Sequence, residues 1–364
     1  MSAQPVQPLP FPPVKKPLIR RVSPDRSQRA RHVVQGLFLL LNGWLGLQFY
    51  LWARYFERGG SGLFVSRPAG VEGWLPIAGL MNTKYLLVTG HVPSIHPAAM
   101  FLFISFMLMS ILLKKAFCSW LCPVGTFSEF LWKLGRRVYG RNLRLPRWID
   151  VALRGLKYLL LGLFVAVIGA MSAAALDDFM ATPYGLVADV KMLNFFRDIG
   201  ITAAVVIGLL ALLSTLIQNF WCRYLCPYGA LMGLASLFSP VKIRRDQEAC
   251  VDCGKCAKAC PAGIAVDKLV QIRTVECTAC MECVAVCSAQ NALQLALPPR
   301  KASTPAERWR RRVLTPLTVC GVLAYIFFGL VLLARSTNHW QTELPKAVYM
   351  HLVPRANQLT HPGM

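Results

Sequence analysis

Charge is sparse in this 364-residue sequence: only 16% of residues are ionised, and Asp and Glu together number 17 against 40 Lys and Arg. With 55% hydrophobic residues and a mean hydropathy of +0.45, the chain has too few charges to cover a water-soluble globule of its size. Also missing are a dinucleotide-binding glycine fingerprint, a Walker loop and a Cys-x-x-Cys-His haem-attachment motif. Chemistry resting on those groups is therefore not expected, and what remains is apolar runs, basic clusters and 13 cysteines.

Five runs contain no Asp, Glu, Lys or Arg: Val33 to Ala53, Pro97 to Leu113, Tyr158 to Leu176, Ile199 to Ile217 and Val313 to Ala334. As helices they are long enough to cross a hydrocarbon core of roughly 30 Å, so five transmembrane helices are expected. The first run follows a basic stretch, as in a secretory signal, but no small-residue cleavage site follows it, and a retained span is expected. Segments between the runs alternate in Lys and Arg content, with 31 in one alternating set and 9 in the other. By the positive-inside rule the N-terminus, the middle loop and the Cys-rich insert are cytoplasmic and the C-terminal tail is periplasmic. The net charge of +23 is thereby read as topology rather than as a nucleic-acid footprint. The clusters Lys114-Lys115, Arg136-Arg137 and Arg308 to Arg312 are expected to meet lipid headgroups.

A repeat is written into the apolar half. Phe117-Cys118-Ser119-Trp120-Leu121-Cys122-Pro123-Val124-Gly125 follows the second run, and Trp221-Cys222-Arg223-Tyr224-Leu225-Cys226-Pro227-Tyr228-Gly229 follows the fourth, 104 residues later. Each unit is span, outer loop, span, then Cys-x-x-x-Cys-Pro-x-Gly, the pattern of a duplicated two-helix hairpin. Cys118, Cys122, Cys222 and Cys226 form a candidate third redox or metal site, a cluster or a bound metal, against the plainer reading of structural cysteine pairs.

The most specific signal lies between the fourth and fifth runs. Cys250, Cys253, Cys256 and Cys260-Pro261 are followed by Cys277, Cys280, Cys283 and Cys287, two copies of Cys-x-x-Cys-x-x-Cys-x-x-x-Cys. In a bacterial-type ferredoxin the fourth Cys of each run ligates the other cluster, which assigns Cys250, Cys253, Cys256 and Cys287 to one 4Fe-4S cluster and Cys277, Cys280, Cys283 and Cys260 to a second. Zinc does not call for two runs each with a trailing Cys, and a reducing compartment disfavours disulfides. Cys320 reads as a packing residue.

The predicted fold class is an α-helical membrane protein with an inserted α+β dicluster ferredoxin. Its expected parts are a disordered basic tail (1–32), a four-helix membrane domain (33–238), the ferredoxin (239–298), a basic linker (299–312), a fifth transmembrane helix (313–334) and a short outer tail (335–364). In the first outer loop the apolar, Pro-broken stretch Arg67 to Ile77 precedes His91 and His96. Glu72, His91 and His96 are candidate bases for quinol oxidation, with Asp177 and Asp178 as a second acidic pair; solvated loop residues are the alternative.

Paired Cys-x-x-x-Cys-Pro motifs joined to an eight-cysteine insert resemble the NapH, NosR and CcoG group of membrane polyferredoxins over Gln35 to Ala292. The resemblance implies a bacterial inner-membrane electron carrier that exchanges electrons with quinone and a redox partner protein, a quinol dehydrogenase-like subunit rather than a stand-alone enzyme. It equally admits a copper reductase or assembly factor of the CcoG type, although no Met-rich outer tail is present, and a redox sensor or scaffold. The chain departs from NosR in lacking a preceding flavin-attachment domain, and from four-span NapH in its fifth run.

Overall fold

The structure, a computed structural model, describes residues 17–22, 25–298 and 313–361; the basic linker and Arg308 to Arg312 lie outside the described residues. The first unit is α1 (Ser27–Glu57), a 3-10 turn (Ala69–Trp74), α2 (Pro76–Thr89), α3 (Pro97–Leu113), α4 (Ala116–Trp120) and α5 (Pro123–Tyr139). The second is α6 (Arg147–Ala170), α7 (Ala173–Ala181), α8 (Pro183–Leu186), α9 (Ala188–Arg197), α10 (Ile201–Leu216), a π-helical turn (Trp221–Leu225) and α11 (Pro227–Ala235). The insert contributes β1 (Lys242–Arg245), α12 (Lys255–Ala259), α13 (Glu282–Ala285) and β2 (Leu293–Ala296), and the chain closes with α14 (Pro316–Ser336), α15 (Lys346–Leu352) and a 3-10 turn (Val353–Gln358). Proline opens α2, α3, α5, α11 and α14, where its missing N–H has no partner to lose.

Three helices are long and apolar enough to cross a membrane: α1, α6 and α14. The bent pair α9 and α10, angled by 81°, is a fourth if counted as one span. The second expected span, α3, has 17 residues. At 1.5 Å per residue it covers about 26 Å, short of the core thickness, and it is sheathed by other helices. Met100 and Met109 are fully buried on it, whereas leucines and valines of α1, α6, α10 and α14 point outward, as lipid-facing side chains do.

The third expected run, Tyr158 to Leu176, is misplaced in both directions. Helix α6 begins at Arg147 and ends at Ala170, and Leu176 belongs to α7. The first half of α6 carries Asp150, Arg154 and Lys157 and so falls outside any uncharged run, yet all three are paired. Asp150 accepts from Tyr224 at 2.6 Å and faces Arg223 at 2.7 Å, and Lys157 holds both oxygens of Glu276 at 2.7 and 2.9 Å.

Residues 1–16 of the expected tail lie outside the described residues, and the described segments near both ends pack against the rest of the chain. Helix α1 starts inside the anticipated tail, because Arg31 is buried between Glu129 and Glu282. Ahead of it Arg20 bridges Ala289, and Arg21 N–H donates to Ser288 O at 3.0 Å, which straps this segment to the ferredoxin. At the other terminus Tyr349, Leu352 and Val353 pack on Phe49, Trp52 and Phe56 of α1, so the outer tail is a folded cap. The Lys114-Lys115 pair is also corrected: both side chains are buried, and Lys114 donates to Arg273 O and Thr274 O rather than to headgroups.

In the insert β1 and β2 pair antiparallel, Lys242 opposite Ala296 and Arg245 opposite Leu293. Leu314 N–H donates to Leu295 O at 2.8 Å, so the lead-in to α14 is tied to the same sheet.

Helices α5 and α10 approach through Gly135, where a Cβ would sit 1.9 Å from Thr215 O. Gly135→Ala is therefore expected to cost about 1–3 kcal/mol through overpacking. The check is the thermal unfolding midpoint in detergent, which should fall clearly below that of the parent protein.

Candidate functional site

The two Cys-rich runs share an unusual backbone. Asp252 and Gly254 flank Cys253 at φ of 53° and 68°, and Ala279 and Met281 flank Cys280 at φ of 50° and 59°. A non-glycine residue in this left-handed region costs roughly 1–2 kcal/mol, so these loops are held by what surrounds them. Alternating hand turns successive N–H groups to one side, the geometry that cradles an anion.

Cys250, Cys253, Cys256 and Cys287 line one cavity. Cys260, Cys277, Cys280 and Cys283 line another. Each takes three thiols from one run and the trailing thiol of the other. Backbone N–H groups address the sulfurs, that of Ala279 toward Cys277, of Glu282 toward Cys280 and of Ala289 toward Cys287. Four thiols around an apolar space with N–H groups aimed at them fit a 4Fe-4S cluster. The second, inner cradle faces the helices; in the first, outer cradle Cys253 is solvent-exposed.

Helix α4 clamps the inner cradle. Ser119 Oγ donates to Thr278 O at 2.6 Å and Trp120 Nε1 to Ala279 O at 3.2 Å, while Gln28 of α1 donates to Cys280 O at 2.9 Å. Arg31 adds ion pairs to Glu129 and, at 3.0 Å, to Glu282. The loop that carries Cys280 is thus fixed to the helix that carries Cys118.

In both repeats the second Cys caps the helix that its Pro begins: Cys122 precedes α5 and Cys226 precedes α11. Cys226 Sγ accepts from Gly229 N–H at 3.2 Å, and a sulfur at a helix N-terminus meets the positive end of the dipole. The repeat glycine is needed for close approach in the first copy, where a Cβ on Gly125 would lie 2.1 Å from Cys118 O.

All four repeat cysteines line one large cavity, walled by Phe38, Leu45, Phe106, Phe327 and Val331 and reaching Arg67 and Trp340. Cys118 and Cys222 also line a smaller cavity that Cys280 of the inner cradle borders. The quartet therefore lies between the large cavity and the ferredoxin. Among the described residues no three Cys, His, Asp or Glu side chains converge on a single metal ion. The same holds for the eight ferredoxin cysteines, and a cluster core spaces its thiolates more widely than one ion does.

At the far end from the ferredoxin, Glu72 and His96 meet as the sequence suggested, with His96 Nδ1 3.1 Å from Glu72 Oε1. Both are fully buried rather than solvated. His91 does not join them: it is exposed beyond the end of α2, its N–H bonded to Thr89 Oγ1. His96 is fixed instead by Gly185 O at 2.9 Å from its Nε2. Asp177 and Asp178 are exposed on α7. Sequence reading missed Arg67 and Asp189, which complete the group: Arg67 reaches Asp189 at 2.6 Å and Glu72 at 2.9 Å. An arginine inside an apolar, Pro-broken loop was the available signal for a buried acid partner.

Burial by itself raises the Glu72 carboxyl, but the charges of Arg67 and His96 and the hydrogen bonds to them reverse this and hold it at about 2. Burial likewise opposes a charged His96 ring, and the Glu72 carboxylate outweighs it and lifts the ring above its ordinary value. Glu72 and His96 do not line the large cavity; Arg67 links it to them.

Comparison with known proteins adds three findings. Residues 95–142 and 199–246 each match a family described as a 4Fe-4S binding domain, and residues 242–288 match a 4Fe-4S dicluster domain. The chain is 50% identical over 331 residues to the putative electron transport protein YccM of Escherichia coli strain K12, covering 91% of both chains. It is 25% identical to the ferredoxin-type protein NapH of the same organism, over 59% of this chain and 73% of that one, and 29% identical to the protein NirI of Paracoccus denitrificans, over 48% of this chain and 25% of that one. No solved structure matches.

The Glu72–His96 pair sets a pH signature. A raised histidine contributes stability fully below its ordinary value near 6.5 and loses it as pH climbs through its folded value. A depressed carboxylate contributes above its ordinary value near 4.5 and loses it as pH falls toward 2. The difference in thermal unfolding midpoint between the parent protein and His96→Asn is expected to be largest from about pH 5 to 6 and to shrink as pH rises above 6.5.

Proposed function

This chain belongs to the membrane polyferredoxin family, and from that premise we propose that it carries electrons between quinone in the large cavity and a redox partner docking at the outer cradle. One relative is named a putative electron transport protein and another a ferredoxin-type protein, and this chain matches 4Fe-4S families in three places. Cys250, Cys253, Cys256 and Cys287 hold one 4Fe-4S cluster and Cys260, Cys277, Cys280 and Cys283 the other. When bound, each supplies a one-electron store at a potential that the surrounding N–H groups tune.

The observation that carries this reading is the position of the thiol quartet. Cys118 and Cys222 border both the large cavity and the one that reaches Cys280. A single short helix, α4, holds Cys118 and donates the hydrogen bonds that fix the inner loop. Protein therefore connects the cavity floor to the inner cradle without a flexible joint, and the quartet acts as the relay, holding a third iron–sulfur centre. A copper-reductase reading, in which the quartet binds copper transiently and takes electrons from the ferredoxin, is the alternative.

The cavity suits a lipid-borne quinone: aromatic and aliphatic walls take the isoprenoid tail and polar groups stand at both ends. The ferredoxin sits on the cytoplasmic side of the bacterial inner membrane, in keeping with the bias of 31 basic residues against 9. The exposed Cys253 loop is where a soluble partner approaches.

Chemically reduced protein in lipid is expected to be reoxidised by a short-chain quinone. Replacing Cys118, Cys122, Cys222 and Cys226 together by Ser should slow reoxidation about tenfold or more while the ferredoxin absorption persists. No exchange with any quinone, or an unchanged rate in the quadruple variant, would refute the reading.

A further inference from the structure

The large cavity offers a headgroup two polar ends, and they differ in what they have to spare. At the outer end Arg67 is fully engaged by Asp189 and Glu72. At the inner end stands Lys115, 4% exposed, which lines the large cavity and the smaller one alike.

Three buried lysines occupy this region, and two have protein partners. Lys157 holds Glu276, and Lys114 donates to Arg273 O and Thr274 O. The Lys115 ammonium makes no hydrogen bond or ion pair with any described residue, whereas its backbone carbonyl accepts from Cys118 N–H at 3.2 Å. Its ammonium lies within electrostatic reach of Cys118, Glu276, Cys226 and Cys222, and it stands close to Gly229, where a Cβ would be 3.5 Å from Nζ. A buried ammonium without a partner is costly, and an aimed, unused donor in a cavity marks where a ligand oxygen belongs. Phe117, Tyr228 and Trp221 line the cavity nearby and offer flat faces to a planar ring.

We propose that Lys115 Nζ donates to a carbonyl oxygen of the quinone headgroup and seats the ring at the inner end of the cavity, beside the thiol quartet. The outer Arg67–Glu72–His96 group is then not the place where the ring binds. This deepens the quinone reading and rests on it. Removing the donor costs a charged hydrogen bond, while a guanidinium at the same position restores part of the contact.

The test titrates decylubiquinone into the full-length protein in nanodiscs with its iron retained, reading quenching of tryptophan fluorescence, since Trp74, Trp221 and Trp340 line the cavity. Lys115→Met should raise Kd about tenfold or more and Lys115→Arg by less. In parallel, a photoreactive azidoquinone is cross-linked to the parent protein and mapped by mass spectrometry, which decides the matter alone if Lys115→Met loses its iron. Label within Phe117 to Gly125 or Trp221 to Gly229 supports the proposal. Label within Ser66 to Trp74, or an unchanged Kd in Lys115→Met, overturns it and leaves the quinone reading standing. An absence of saturable binding by the parent protein removes both.

Discussion

Two hydrogen bonds from one helical turn hold the ferredoxin in working relation to the membrane part. Ser119 and Trp120 of α4 donate to the carbonyls of Thr278 and Ala279, inside a loop whose backbone is strained at Ala279 and Met281. Such a loop persists only where its neighbours determine it. Because Cys118 precedes Ser119 by one residue, the contacts that shape the inner cradle also fix its position relative to the repeat cysteines. Electron transfer through protein is sensitive to distance, and this arrangement leaves little freedom in that distance.

The few acidic residues are placed by the same logic. Glu129, Glu276, Glu282 and Asp150 meet Arg31, Lys157, Arg223 and Arg154 where the helices face the ferredoxin, and Glu72 and Asp189 meet Arg67 at the opposite end. Buried pairs of this kind add little net stability, since desolvation consumes much of their attraction, but breaking one strands a charge. They act as register marks, fixing which surface of the insert meets which helix. Lys115 stands apart from this pattern as a buried cation with no ion pair among the described residues.

Covalent spacing was the most legible part of the sequence. Three cysteines at intervals of three, with a fourth four residues on, leave few ways to wrap a cluster, and the cavities group the thiols as that spacing pairs them. The duplicated Cys-x-x-x-Cys-Pro-x-Gly was equally visible, because Pro opening a helix and Gly under a carbonyl are local requirements. Long-range pairing was not legible. Arg31, Asp150 and Lys157 extend helices beyond any uncharged window because their partners lie on other segments, Glu276 being 119 residues from Lys157. Likewise nothing near His91 or His96 tells them apart, since His96 is chosen by Gly185, 89 residues away. Helix α3 reads as a span by composition, yet it is short and eleven of its 17 residues are buried.

The account stands or falls on what the eight ferredoxin cysteines hold. Anaerobically purified full-length protein, reduced in lipid and examined by low-temperature electron paramagnetic resonance alongside iron and sulfide analysis, tests this most directly. The account predicts two reduced 4Fe-4S clusters close enough for their spins to interact, with any iron beyond theirs lost when the four repeat cysteines are replaced. Natively assembled protein that is colourless, free of iron and silent on reduction would contradict it.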